Sequence, residues 1–141
     1  QGKLFEEFLS HLHGKKNDGL KVKVIGNPGN YFARFTQYVQ ATIEGNLSHD
    51  SCQNSKKSSF IIRGDINDNL YQFADGSGYS NFYIEGECYR EVISFRLSST
   101  KDCTFKSPNV NTAQTMAEIL PPGNKVIFVE KDSRERIIWR Y

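Results

Sequence analysis

Pro121-Pro-Gly-Asn-Lys-Val-Ile-Phe-Val-Glu-Lys-Asp-Ser-Arg-Glu-Arg-Ile-Ile-Trp-Arg-Tyr141 is the stretch on which the reading of the fold turns. Pro122-Gly123 signals a turn. The apolar run from Val126 to Val129 follows, then a charged turn, then a second apolar run from Ile137 to Trp139. Two apolar runs around a polar turn read as paired strands. Lys131, Arg134 and Arg136 interleave with Glu130, Asp132 and Glu135, which reads as a solvated hairpin tip.

Upstream of this hairpin, short apolar or alternating runs recur at residues 60–62, 70–73, 82–84, 89–97 and 103–105. Gly, Asn, Asp and Ser clusters separate them, a pattern expected of an antiparallel sheet. Residues 111–120 read as a helical insert, capped by Asn111 and stopped by Pro121. Towards the N-terminus, residues 21–25 alternate polar and apolar, as in a half-buried strand. Tyr31, Phe32, Phe35, Tyr38, Val39, Thr42 and Ile43 fall at helical spacing, so a main helix ending at Gly45 is expected. Leu4, Phe5, Phe8, Leu9 and Leu12 define a further amphipathic helix over residues 1–14, and residues 45–59 read as a polar loop. No internal repeat stands out. Helices first and strands later give an α+β fold, in one domain spanning 1–141.

Composition narrows the classes. The chain has 141 residues, 38% of them hydrophobic, enough to bury a core. No apolar run is long enough to span a bilayer, so no membrane partner is expected. The net charge of +2 is too small to imply nucleic-acid binding by itself. Cys52, Cys88 and Cys103 are an odd number, so at least one lacks a partner within the chain. Cys88 and Cys103 lie near expected strand ends and are the favoured disulfide; three reduced cysteines are the alternative. Asn46-Leu-Ser48 is a formal glycosylation acceptor. No signal peptide is evident, and the start at Gln1 suggests a mature or trimmed form. His11-x-His13 would sit about 200° apart on a helix, and no CxxC, HExxH or calcium-loop pattern occurs, so neither metal nor cofactor is expected. Asp75-Gly-Ser-Gly78 lacks the following Lys and Ser/Thr of a phosphate loop and reads as a turn.

Three motifs carry a resemblance. Tyr89-Arg-Glu-Val-Ile93 is similar to the strand of the fungal secreted ribonucleases in which a tyrosine precedes the catalytic glutamate. Pro122-Gly-Asn-Lys-Val-Ile-Phe128 is similar to that family's Pro-Gly-x-x-Arg-Val-x-Phe segment. Ile137-Ile-Trp-Arg140 lies where the family has a strand ending in histidine. The resemblance implies a ribonuclease-like fold, one main helix packed on a curved antiparallel sheet. It places Glu91 at the general base, Lys125 at the phosphate-stabilising arginine and Arg140 at the histidine acid. Arginine cannot release a proton near neutral pH, and general acid catalysis is worth roughly 10²–10⁴-fold. A pseudo-ribonuclease is therefore implied, with a phosphate- or RNA-binding groove of Tyr89, Lys125, Arg136 and Arg140.

A ribonuclease-like chain without its acid resembles the secreted effectors of powdery mildew and other plant-pathogenic fungi. That resemblance implies a secreted virulence protein, translocated into the host cell, that binds a host protein such as an immune receptor, with RNA as the second ligand. Two alternatives stand beside it: an active endoribonuclease with non-standard acid and base residues, and an unrelated α+β interaction module.

Overall fold

The computed structural model describes residues 9–48, 50–66, 73–88 and 99–138. Its strands are β1 (Leu20–Ile25), β2 (Val39–Glu44), β3 (Ser59–Ile62), β4 (Asn81–Ile84), β5 (Thr104–Ser107), β6 (Lys125–Val129) and β7 (Glu135–Ile138); one helix, α1 (Val110–Ile119), follows β5. The strands form a single sheet in sequence order. Each of the first five pairings is parallel, and only β6 and β7 pair antiparallel. Parallel neighbours in strict sequence order mean that the chain winds in coils, each stacked on the one before. This is a β-solenoid, capped at one end by a hairpin and a helix.

The stacking follows from rows of like side chains. Val22, Ala41, Phe60, Phe82, Phe105 and Val126 lie in register and point inward. The ring centroids of Phe60 and Phe82 are 5.3 Å apart, and those of Phe82 and Phe105 are 4.7 Å apart. A second inward row runs Val24, Ile43, Ile62 and Ile84. Buried hydroxyls form a third system. Thr36 donates to Ser55 at 3.1 Å, the Ser55 hydroxyl donates to the Cys52 carbonyl, and the Ser77 hydroxyl accepts the Ser55 amide. These buried hydroxyls thereby find partners in their own or a neighbouring coil, as burial demands.

After each of β1 to β4, a glycine followed by a polar residue turns the chain. Asn27 Oδ1 accepts the amide of Asn46, Asn46 Oδ1 that of Asp65, and Asp65 Oδ1 that of Glu87, each at 2.8 Å. These partners are 19, 19 and 22 residues apart. The repeat is therefore present in the sequence as Gly26-Asn27, Gly45-Asn46, Gly64-Asp65 and Gly86-Glu87.

Several sequence expectations are corrected. The ribonuclease-like α+β fold is replaced by the solenoid, and the antiparallel sheet by a mainly parallel one. The main helix over residues 31–43 does not form. The chain there turns through left-handed backbone at Tyr31, Ala33, Phe35 and Tyr38 and then enters β2. Of the amphipathic helix over residues 1–14, residues 9–14 are turn and bridge structure, His13 pairing with Gln37; the rest lies outside the described residues. Of the expected polar loop at 45–59, the described residues 45–48 and 50–58 form a winding part of the solenoid with Leu47, Ser51, Cys52, Ser55 and Ser58 buried, and Ser59 opens β3. The expected strands at 60–62 and 82–84 form, and so does the terminal hairpin. The helical insert forms with Asn109, rather than Asn111, as its cap: the Asn109 side chain accepts the amides of Asn111 and Thr112.

Cys88 and Cys103 are free buried thiols, as is Cys52. Geometry explains why the expected pair is not formed. Cys88 continues the Leu47–Ile66 row beyond the end of β4. Cys103 precedes β5 and lies level with Ser80, before β4 begins. Four strand residues separate the two levels, about 13 Å at strand rise, whereas bridged Cα atoms lie within about 7 Å.

Candidate docking face

A solenoid strand turns alternate side chains outward, so residues level with one another form rows along the coil axis. One outward row is Lys21, Gln40, Ser59, Asn81, Thr104 and Lys125. The next begins Lys23, Thr42, Ile61, Tyr83 and Lys106. Neither row contains a carboxylate. With neighbouring strands about 4.8 Å apart, six strands make a face about 24 Å long. A third row is self-neutralised: Arg63 pairs with Glu85 on one side and approaches Glu44 at 3.9 Å on the other.

The outer face over β1–β3 contains an open trough of about 560 Å³ lined by Lys21, Lys23, Gln40, Thr42, Ser59 and Ile61. The charge at this end is one-sided. Residues 9–30 carry Lys15, Lys16, Lys21 and Lys23 against the single acid Asp18. At the opposite end Lys106 is bonded to Glu135 at 2.7 Å, and Arg134 is paired with Glu130 and Asp132. Among the described residues, Lys21 and Lys23 have no carboxylate partner.

A second hollow, of about 460 Å³, lies on the flank of the first coils beside His11, His13, Phe35, Asn54 and Lys56. His11 stacks on Phe35 with centroids 5.1 Å apart. The Lys56 ammonium already donates to the Gly76 carbonyl. No cluster of three or more His, Cys, Asp or Glu side chains able to hold a metal occurs among the described residues.

Of the residues singled out by the ribonuclease resemblance, Lys125 and Arg136 lie among the described residues. Glu91, Tyr89 and Arg140 lie outside the described residues. Lys125 opens β6 and is exposed in the outer row. Arg136 pairs with Phe128 across the hairpin and lies over its ring at 5.4 Å. Pleat alternation puts Phe128 and Arg136 on the face opposite to that of Lys125.

Lys21 and Lys23 were legible only as polar members of an alternating strand. Their meaning came from the neighbours that the coils bring beside them. The chain matches no protein-family model, no curated protein and no solved structure.

Proposed function

We propose that the chain is a docking module that binds an acidic macromolecule on its N-terminal coils, and that the ligand is an acidic protein segment. The observation that carries this is that Lys21 and Lys23, without a carboxylate partner among the described residues, lie beside a trough whose lining holds no carboxylate. Two cations about 7 Å apart on one strand face attract an extended chain with acidic groups at alternate positions. Protein is favoured over RNA by what the trough lacks. Single-stranded nucleic acid gains much of its affinity from bases stacked on aromatic rings, and the trough lining is aliphatic, amide and hydroxyl. The solenoid replaces the scaffold on which the reading as a secreted ribonuclease-like effector was built. The proposal therefore keeps a binding role and rests on the solenoid's own surface.

The test is fluorescence anisotropy with a labelled Glu-rich 12-residue peptide and a single-stranded 12-nucleotide RNA, each titrated at several salt concentrations. The peptide is expected to bind more tightly than the RNA, and added salt to weaken it. The double variant Lys21→Gln/Lys23→Gln is expected to lose about three- to tenfold in affinity, as two exposed charge contacts would. Tighter RNA binding, or cleavage of the RNA, would overturn the reading, as would a double variant that binds the peptide normally.

A further inference from the structure

The two ends of the solenoid are finished differently. At the C-terminal end, β6 is covered by the antiparallel β7, and α1 packs against β5, β6 and β7. At the other end, among the described residues, β1 pairs only with β2. Leu20 belongs to an inward row level with the fully buried Val39, yet it stays 38% exposed because no described coil lies over it. Ile25 is 82% exposed, and Val22 is half-buried at the end of the phenylalanine row.

The backbone at this edge has a definite polarity. Leu20 donates its amide to the Tyr38 carbonyl at 2.9 Å, and Gly26 donates to the Glu44 carbonyl at 3.1 Å. In a parallel pair, alternate residues turn both N–H and C=O to the same neighbour. The even-numbered residues of β1 therefore face β2, and Lys21, Lys23 and Ile25 aim their N–H and C=O groups at the open edge. Such an edge is a template for another strand. The same two lysines discourage a second copy of this chain, because an antiparallel β1–β1 pairing that kept the apolar residues inward would set lysine opposite or diagonal to lysine. A strand with Asp or Glu at its outward positions and apolar residues at its inward ones meets both requirements.

We propose that the free edge of β1 takes up an acidic, alternating segment of a partner protein as an added strand, bonded to Lys21, Lys23 and Ile25 through the backbone. This deepens the docking reading and rests on it. Main-chain bonds supply the affinity, and the lysines select the sign of charge. The partner's inward apolar residues cover Leu20 and Val22.

The experiment uses an acetylated, amidated alternating Glu-Val octapeptide and amide hydrogen exchange of the whole chain. In the complex, the amides of Lys21, Lys23 and Ile25 are expected to slow at least tenfold, while those of Val22 and Val24, already bonded to β2, change little. The same peptide N-methylated at alternate residues is expected to bind at least tenfold more weakly. The variant Ile25→Pro removes an edge-facing donor and no charge, a substitution that edge strands tolerate. It is expected to keep its unfolding midpoint and lose at least tenfold in affinity. Peptide binding without protection of the three edge amides overturns strand addition and leaves the docking reading standing. No binding of the peptide at low salt overturns both.

Discussion

Asn46 Oδ1 accepts the amide of Asp65 at 2.8 Å, and a Cβ placed on Gly64 would lie 2.2 Å from that same oxygen. The residue that turns one coil and the bond that locks the next thus occupy the same space. Gly45 and Gly86 repeat the relationship: a Cβ on Gly45 would meet the Gly26 carbonyl oxygen at 2.2 Å, and one on Gly86 would meet Asp65 Oδ1 at 2.3 Å. The Gly-polar pairs are the column on which the coils are stacked.

Gly64→Ala should therefore destabilise the fold by about 1–3 kcal/mol, the usual cost of forcing an extra methyl into a packed site. The clash is with backbone and a bonded side chain, so no flexible group can yield. Gly26→Ala is the contrast. A Cβ there meets nothing within 4 Å, and the only penalty comes from a φ of +111°. Urea unfolding of both variants checks the ranking through the midpoint; a Gly64→Ala protein as stable as the parent would refute the column.

Phe82 is the keystone of the inner row. It stacks between Phe60 and Phe105 and meets Phe73 edge-on at 5.5 Å. Phe82→Ala should cost about 3–5 kcal/mol, and Phe82→Leu less. Because the coils stack in one dimension, the loss should be felt in the coils on both sides. Hydrogen exchange at β3 and β5 measures this; accelerated exchange confined to β4 would contradict it.

Arg63 makes a showy contact of small consequence. Its side chain and those of Glu44 and Glu85 are all substantially solvated. Solvent and salt screen exposed ion pairs, so they contribute little to stability. Arg63→Gln should leave the urea midpoint almost unchanged at moderate salt, and a clear drop in the midpoint would show the third row to be structural.

The strands β1, β3 and β4 and the terminal hairpin could be read from the sequence because each rests on a local signal, whereas β2 reads as the end of a helix. Val126 to Val129 and Ile137 form apolar runs around a charged turn, and residues 111–120 keep helical spacing before a proline. The winding of the coils could not be read in the same way. Tyr31, Ala33, Phe35 and Tyr38 adopt positive φ without being glycine, and nothing in a tyrosine or phenylalanine announces that. Their spacing imitates a helix because the chain turns a corner every few residues. The coil length also drifts, from 19 residues to 22 between successive turns of the Asx column, so the repeat blurs unless the Gly-polar pairs are aligned by themselves. The docking face was hidden for a related reason: Lys21, Gln40 and Ser59 become neighbours only through parallel register. The motifs used for the ribonuclease resemblance are short, and Lys125 and Arg136 turn out to occupy opposite faces of the hairpin.

Burial governs the three thiols and gives the last prediction. Burial raises the pKa of Cys52 and Cys103, and that of Cys88 is pushed well above the usual range by burial first and by the nearby carboxylates of Glu87 and Asp65 second. An ordinary thiol titrates near pH 8.5. Below that pH these groups are protonated in both the folded and the unfolded chain, and their contribution to stability is fully present. Above it the unfolded chain releases protons that the folded chain retains, so stability falls as pH rises towards the folded-state values. Urea midpoints should be flat from pH 7 to about 8.5 and then decline, and Cys88→Ala should decline less steeply over the same interval. A disulfide reagent at pH 8 should label none of the three cysteines in the native chain and all three in urea. Parallel pH profiles for the parent and Cys88→Ala, or rapid native labelling, would show that the thiols are not held inside the coils.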